Sequence, residues 1–125
     1  SGVIHGVDER TDIAVIKVQI TGDSKKYIPV SFGDSTALKS GQWVVAIGNP
    51  FGLGSTATFG PVSSTGRDIY LPSSGSKKIN PYDVDFIQHQ APINVGNSGG
   101  MLATLDGLVV GINTAIFSQC FYYQK

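Results

Sequence analysis

Residues 96–116 read GNSGGMLATLDGLVVGINTAI, and this stretch decides the class of fold. Asp106-Gly107 is a strong signal for a two-residue β-hairpin turn, because both residue types tolerate the positive φ angles that such a turn requires. Apolar residues dominate the segments on both sides of it. The pattern predicts two antiparallel strands, Met101 to Leu105 and Leu108 to Ile116, directly after a glycine-rich turn that contains a serine.

The remainder of the chain is also typical of short strands. Ile13 to Ile20 alternates, with Ile16 and Val18 on one face and Lys17 on the other. Pro61 indicates an edge or a bulge in its strand. No segment is a convincing helix, so about six strands predict an all-β fold, a small antiparallel barrel or sandwich. The further predicted strands are Gln42 to Ile47, Thr56 to Ser63 and Val84 to Gln88.

The composition limits the classes of function. The 125 residues contain 9 Lys and Arg against 9 Asp and Glu, so the formal net charge is zero. Binding to nucleic acid or to anionic lipid needs a basic excess, so neither partner is expected. The apolar runs are too short for a membrane span, which takes about 20 residues. The single cysteine, Cys120, excludes an internal disulfide and a cysteine-based metal site, and no metal or other cofactor is expected.

The segment Gly96 to Gly100 has the clearest potential for chemistry. A serine flanked by glycines can lie on a sharp turn with its hydroxyl exposed, because glycine adopts backbone angles that are closed to other residues. The amides of Gly96 and Ser98 would then point into one small space, where they would stabilise the oxyanion of a transition state. Taken alone, the motif is equally compatible with a polar turn that precedes a hairpin.

Three segments place the serine turn in a wider pattern. They are Thr11 to Val18 (TDIAVIKV), Ala46 to Ser63 (with AIGNPFGLG and TFGPVS), and Phe86 to Ile116 (with FIQ, APIN, GNSGG and GINTAI). In order and spacing they resemble the HtrA/Deg family of trypsin-like serine proteases, from about Val7 to Ile116. The resemblance implies an antiparallel trypsin-like β-barrel, the C-terminal half of a double-barrel chymotrypsin-type fold. Residues 1–125 are therefore expected to be a partial protease domain, with the aspartate strand of the first barrel, most of the second barrel and no PDZ domain.

The resemblance also implies a mechanism. Ser98 matches the nucleophile of the family, and Asp12 matches the acid that orients a histidine and stabilises its charged form. Gly96, Asn97 and Ser98 match the oxyanion-hole turn. The alternative for Asp12 is a cap at the start of a strand.

The same resemblance assigns a substrate-binding set. Ile93 and Ile112 would line a shallow apolar pocket, and no acidic residue lies in the turn before Gly96. We therefore expect a serine endopeptidase of the protein quality-control type, which cleaves unfolded proteins after small or medium apolar residues with broad selectivity. The expected substrate-binding residues are Ile93, Asn94, Ile112, Asn113 and Thr114.

The histidine of the triad is the main departure from the family. Its family position lies tens of residues before the aspartate, and only eleven residues precede Asp12. His5 is expected to be a surface or barrel-edge residue, and His89 a strand-end side chain where the family usually has Thr. Neither matches the catalytic position, so the chain is expected to be inactive alone. The alternative is a non-catalytic remnant that still binds extended peptide by strand addition.

Other departures lie near the site and at the end of the chain. Gln90 stands where the family usually has Asp, and Met101 where it has a small residue or Pro. Residues 117–125 are atypical of the family's continuation.

The resemblance leads to three further expectations. The location is expected to be the bacterial periplasm, with an organelle as the alternative, and a homotrimer is possible by family resemblance. Arg67 to Asp85 is expected to be a mobile regulatory loop, because its polar composition offers little apolar surface to offset the entropy of ordering it.

Overall fold

The computed structural model describes residues 1–9, 11–22, 27–49, 54–67 and 85–114. These residues form eight strands and one short 3-10 helix, Ser35–Ala37. The strands are β1 (Gly2–Asp8), β2 (Ile13–Val18), β3 (Ser31–Phe32), β4 (Trp43–Gly48), β5 (Thr56–Arg67), β6 (Phe86–His89), β7 (Met101–Thr104) and β8 (Leu108–Ile112). The expectation of an all-β fold without a long helix is confirmed for the described residues.

The strands belong to two sheets. The first is the antiparallel pair β1–β2, in which Ile4 lies opposite Ile16 and a register shift falls between Ile4 and Gly6. The second has six strands in the order β3-β8-β7-β4-β5-β6. All its described pairs are antiparallel except β3 with β8, where Ser31 and Phe32 run parallel to Leu108 and Val109. The expected antiparallel arrangement therefore holds for every described strand pair except this short edge strand.

The core lies on one face of the six-stranded sheet. Alternation along β4 directs Val44 and Ala46 inward, and both side chains are completely buried. Val62 on β5 and Leu102 on β7 complete the centre of the cluster. The residues packed around it are Leu38, Ala91, Val110, Ile87 and Ile93.

Two glycines bring parts of the second sheet together. Gly107 has a φ of 83°, and its amide donates to the Thr104 carbonyl at 3.0 Å, which closes the β7–β8 hairpin with a connection of three residues, 105–107, instead of the predicted two. A Cβ on Gly60 would overlap the backbone nitrogen of Ala91, so the segment after β6 approaches β5 at backbone distance. This close approach places residues 91–94 beside the serine turn.

Several boundaries differ from those predicted. Strand β5 continues past Ser63 to Arg67, with Pro61 inside it, and β8 ends at Ile112 within the described part. Strands β1 and β3 were not predicted, because neither shows a clear alternation in the sequence. The predicted regulatory loop, Arg67 to Asp85, lies outside the described residues apart from its two ends, of which Arg67 belongs to β5. The atypical tail, residues 117–125, also lies outside them. Within the described ranges, no helix has the length and apolar character needed to cross a bilayer.

Candidate active site

A cleft of about 680 Å³ lies between the turn of the β1–β2 hairpin and the edge of the six-stranded sheet. Asp12 lines it from the hairpin, Ser98 from the glycine-rich turn, and His89 from the end of β6. The fold therefore brings together the residue predicted as the triad acid and the residue predicted as the nucleophile, although 85 positions separate Asp12 from Ser98 in the sequence.

The serine turn has two sets of backbone amides. The Asn97 amide donates to the Asn94 carbonyl at 3.0 Å, and the Gly100 amide to the Asn97 carbonyl at 2.9 Å. The amides of Gly96 and Ser98 donate to no acceptor in the described part of the chain. Gly96 has a φ of 98°, which only glycine adopts readily, and this conformation produces the reversal. Two free donors beside an exposed serine hydroxyl are what an oxyanion-binding turn requires.

The serine turn is fixed to β4 and to the end of β8. The Gly99 amide donates to the Asn113 carbonyl at 2.7 Å, and the Asn113 amide donates to the Gly100 carbonyl at 2.8 Å. A Cβ on Gly100 would overlap the Ile47 carbonyl oxygen, so the absence of a side chain there permits direct backbone packing against β4. The conformation of residues 96–100 therefore depends on both neighbouring strands.

Asp12 lies in the turn that joins β1 to β2. Its φ is 58°, and it is the one non-glycine residue with a positive φ in the described backbone. Aspartate tolerates this left-handed conformation better than most residues, which explains why it can occupy the position. Its side chain is exposed and lines the cleft. This strained conformation lies immediately before β2. It agrees with a functional role for Asp12 at least as well as with a cap at the start of the strand.

The apolar walls of the cleft come from the predicted substrate-binding set. Ile93 is half-buried against the core and Ile112 is exposed, and both line the cleft with Asn113 and Thr114. The Thr58 hydroxyl donates to the Pro92 carbonyl at 2.8 Å and holds this wall in place. Asn94 is exposed and does not line the cleft; its carbonyl instead supports the serine turn.

The two histidines occupy different environments. His5 is exposed at the irregular part of β1, as expected for a barrel-edge residue. His89 is the last residue of β6, as expected for a strand-end side chain, and it is half-buried in the cleft, a position that the sequence analysis did not predict. Burial lowers the pKa of its imidazole below the usual value of 6.5, and a hydrogen bond with the Ala91 backbone opposes part of this shift. The alternation of His89 with Ile87, which packs against the core, was the sequence signal for an inward direction.

The described residues contain no group of three His, Cys, Asp or Glu side chains that could hold a metal ion. The arrangement that is present is a serine with free neighbouring amides, an aspartate across a cleft and apolar walls. These groups are suited to acyl transfer, in which charge develops on a carbonyl oxygen.

Comparison with known proteins supports the same chemistry. Residues 1–112 match the trypsin-like peptidase domain. The chain is 53% identical over 113 residues to a probable periplasmic serine endoprotease DegP-like from Brucella suis, and the match covers 90% of this chain and 20% of the relative. It is 54% identical over 113 residues to the protein of the same name from Rhizobium meliloti, with the same coverage. The chain thus spans about a fifth of the length of these relatives.

Solved structures give a consistent result. The HtrA-type protease AlgW with tripeptide superposes with a TM-score of 0.76 at 41% identity, over 95% of this chain and 36% of that one. Deg5 superposes with a TM-score of 0.73 at 43% identity, over 93% of this chain and 52% of that one. The chain therefore belongs to the trypsin-like peptidases and, among them, to the HtrA/Deg family of serine proteases.

Proposed function

We propose that the chain is the serine-bearing part of a periplasmic endopeptidase that cleaves unfolded proteins after small or medium apolar residues. The observation that carries the proposal is the pair of amides at Gly96 and Ser98, which have no acceptor among the described residues, in a turn whose Ser98 lines the same cleft as Asp12. A serine with oxyanion donors beside it stabilises the tetrahedral intermediate of acyl transfer. The periplasmic location rests on the names of the relatives.

In this proposal Ser98 attacks the substrate carbonyl, and Gly96, Asn97 and Ser98 form the oxyanion turn. Asp12 orients the histidine that serves as base. Neither His5 nor His89 corresponds to the family's histidine, so the 125 residues alone lack the base of this mechanism. A serine hydroxyl without a positioned base is a weak nucleophile, and only oxyanion binding and substrate binding remain.

The proposed specificity rests on the walls of the cleft. Ile93 and Ile112 present apolar surface, and Asn113 and Thr114 add polar groups without a charge. These four residues give a Lys or Arg side chain no charged partner, whereas Val, Ala, Ile or Leu fits beside them. The carboxylates that line the cleft, Asp12 and Asp85, belong to the β1–β2 turn and to the position just before β6. Each methylene contributes only about 1–3 kcal/mol to such discrimination, so selectivity is broad.

A fluorophosphonate probe tests the proposal, because it labels only an activated serine. The protein at its full encoded length should be labelled, and Ser98→Ala should abolish labelling, while Ser55→Ala serves as a matched control at an exposed serine that does not line the cleft. The peptides released from an unfolded substrate should end after apolar residues. Dominant cleavage after Lys or Arg would contradict the assigned pocket.

The purified 125-residue chain should hydrolyse casein no faster than its own Ser98→Ala variant. Cleavage that depends on Ser98 would contradict the missing base and would point to His89, the histidine that lines the cleft. Absence of labelling at full encoded length, together with retained binding of extended peptide, would favour the alternative function, a degenerate protease that only binds peptides.

A further inference from the structure

Two buried asparagines lie beneath the serine turn. Asn97 is 1% exposed and Asn113 is 5% exposed, and they are the buried polar side chains of the described part of the chain. Both amide atoms of Asn97 and the Oδ1 of Asn113 have no hydrogen-bond partner there. Each buried polar group without a partner costs about 1–3 kcal/mol. A contribution to the free energy of unfolding therefore does not explain why two asparagine side chains are buried here.

Both side chains contact the end of β4. The Oδ1 of Asn97 would lie 2.6 Å from a Cβ built on Gly48, so its amide rests directly on this glycine. The Nδ2 of Asn113 donates to the Ile47 carbonyl at 3.4 Å and to the Met101 carbonyl at 3.2 Å. Because Ile47 and Gly48 are consecutive, the two amides lie on the same short stretch of backbone.

The orientation of Asn97 bears directly on the proposed oxyanion site. The Ser98 N–H belongs to the peptide plane that joins Asn97 to Ser98, and this plane is rigid. The Asn97 amide and carbonyl are held by Asn94 and Gly100, respectively. A side chain that is locked on Gly48 therefore restricts the direction of the Ser98 N–H.

We propose that Asn97 and Asn113 are positioning residues that hold the Ser98 amide in the direction needed to bind an oxyanion; the proposal rests on the protease function proposed above. The Nδ2 of Asn97 is a donor and the Oδ1 of Asn113 an acceptor, and both flank the end of β4.

The first test exchanges the amide for an apolar side chain of similar size. Asn97→Leu should lower the rate of fluorophosphonate labelling at Ser98 by about 10-fold to 100-fold, in line with the loss of an oxyanion donor. Its thermal midpoint should stay the same or rise, because buried polar groups without partners are removed. Asn49→Leu, at an exposed asparagine just after β4, is the matched control and should label like the wild type.

The second test uses pH. Asn97→Asp places a carboxyl group in the same buried position, and burial raises the pKa of a carboxyl group. The neutral acid has both a donor and an acceptor, as the amide does. At a temperature where both proteins stay fully folded from pH 6 to 8, the labelling rate of Asn97→Asp relative to the wild type should therefore increase as the pH falls from 8 to 6, whereas a role confined to stability predicts a constant ratio under these conditions.

Two results would overturn the proposal: labelling of Asn97→Leu at the wild-type rate, or a loss of labelling that merely follows a loss of folded protein. If the wild type itself is not labelled at full encoded length, the protease function fails, and the amide resonances of Gly96 and Ser98 decide the positioning role. Larger shifts of these resonances in Asn97→Leu than in Asn49→Leu would support it, and equal shifts would refute it.

Discussion

The β1–β2 hairpin and the six-stranded sheet are both built from strands rich in Val, Ile and Leu, but their side chains have different surroundings. In the hairpin, Val3, Ile4, Val15 and Ile16 are exposed, although they lie on both faces of the ladder. In the larger sheet, Val44, Ala46 and Leu102 are buried in one cluster. The same apolar strand pattern thus leads to a core in one region and to open apolar surface in the other.

This difference indicates which region contributes most to the free energy of unfolding of the described chain. A two-stranded ladder by itself is only marginally stable in water. A sheet of three or more strands with an apolar face can be stable on its own. The free energy of unfolding should therefore respond strongly to changes in the six-stranded sheet and weakly to equivalent changes in the hairpin. Asp12, which lies in the hairpin turn, then depends on the weaker region for its position in the cleft.

The largest contrast is expected from alanine at two glycines. A Cβ at Gly60 would overlap the backbone of Gln90 and Ala91, which cannot move aside as a side chain can. Gly60→Ala should lower the free energy of unfolding by about 3 kcal/mol or more. A Cβ at Gly6 meets nothing within 4 Å, so Gly6→Ala should stay within about 0.5 kcal/mol. Urea unfolding of both variants measures the difference, and equal losses would remove the contrast.

Truncation of apolar side chains should give a somewhat smaller contrast. Leu102 is 3% exposed and Ile16 is 57% exposed. Leu102→Ala leaves a cavity and should cost about 2–5 kcal/mol, whereas Ile16→Ala should cost about 0.5 kcal/mol or less. Thermal unfolding of the two variants is the measurement. A loss at Ile16 as large as that at Leu102 would show that the hairpin is packed against a surface in solution.

The smallest effect concerns the pH dependence of the sheet at His89. Burial lowers the pKa of this imidazole in the folded state, so the unfolded chain binds the proton more readily. Stability should therefore fall as the pH drops below the ordinary value of 6.5, until the folded-state pKa is passed. His89→Gln should remove this part of the dependence. Chemical unfolding between pH 7.5 and 5 compares the two, and identical slopes would contradict the buried environment.

Local signals in the sequence predicted much of the larger sheet. Asp106-Gly107 located the β7–β8 hairpin, but the predicted turn of two residues is wrong, because the strands are joined by three residues, 105–107, and of these only Gly107 has a positive φ. Strand β4 was predicted to within one residue at each end. Strand β3 was missed because its two residues pair with β8 in parallel, and a pairing between distant segments leaves no local pattern. The sequence also carried no information on which apolar strands would be covered.

In the candidate site, too, local sequence signals predicted some features, and contacts between distant segments determine the others. The glycines around Ser98 predicted a sharp turn, and the structure has a turn there, in which the Gly96 and Ser98 amides have no acceptor among the described residues. The positions of His89 in the cleft and of Asn97 on Gly48 depend on contacts between separate strands, so no single segment could predict them. The roles of Ser98 and Asp12 in catalysis remain predictions until the labelling experiment is done.

The position of β4 beneath the serine turn has a consequence for folding. Strand β4 pairs with the neighbouring β5 and with β7, where Val44 lies opposite Thr104, sixty residues along the chain. Pairings between distant segments form late, because the entropy of closing the loop must be overcome first. The backbone that supports residues 96–100 is therefore complete only after the two halves of the sheet have joined. A chain still in the course of folding therefore lacks the β4 backbone against which Gly100 and the side chains of Asn97 and Asn113 pack.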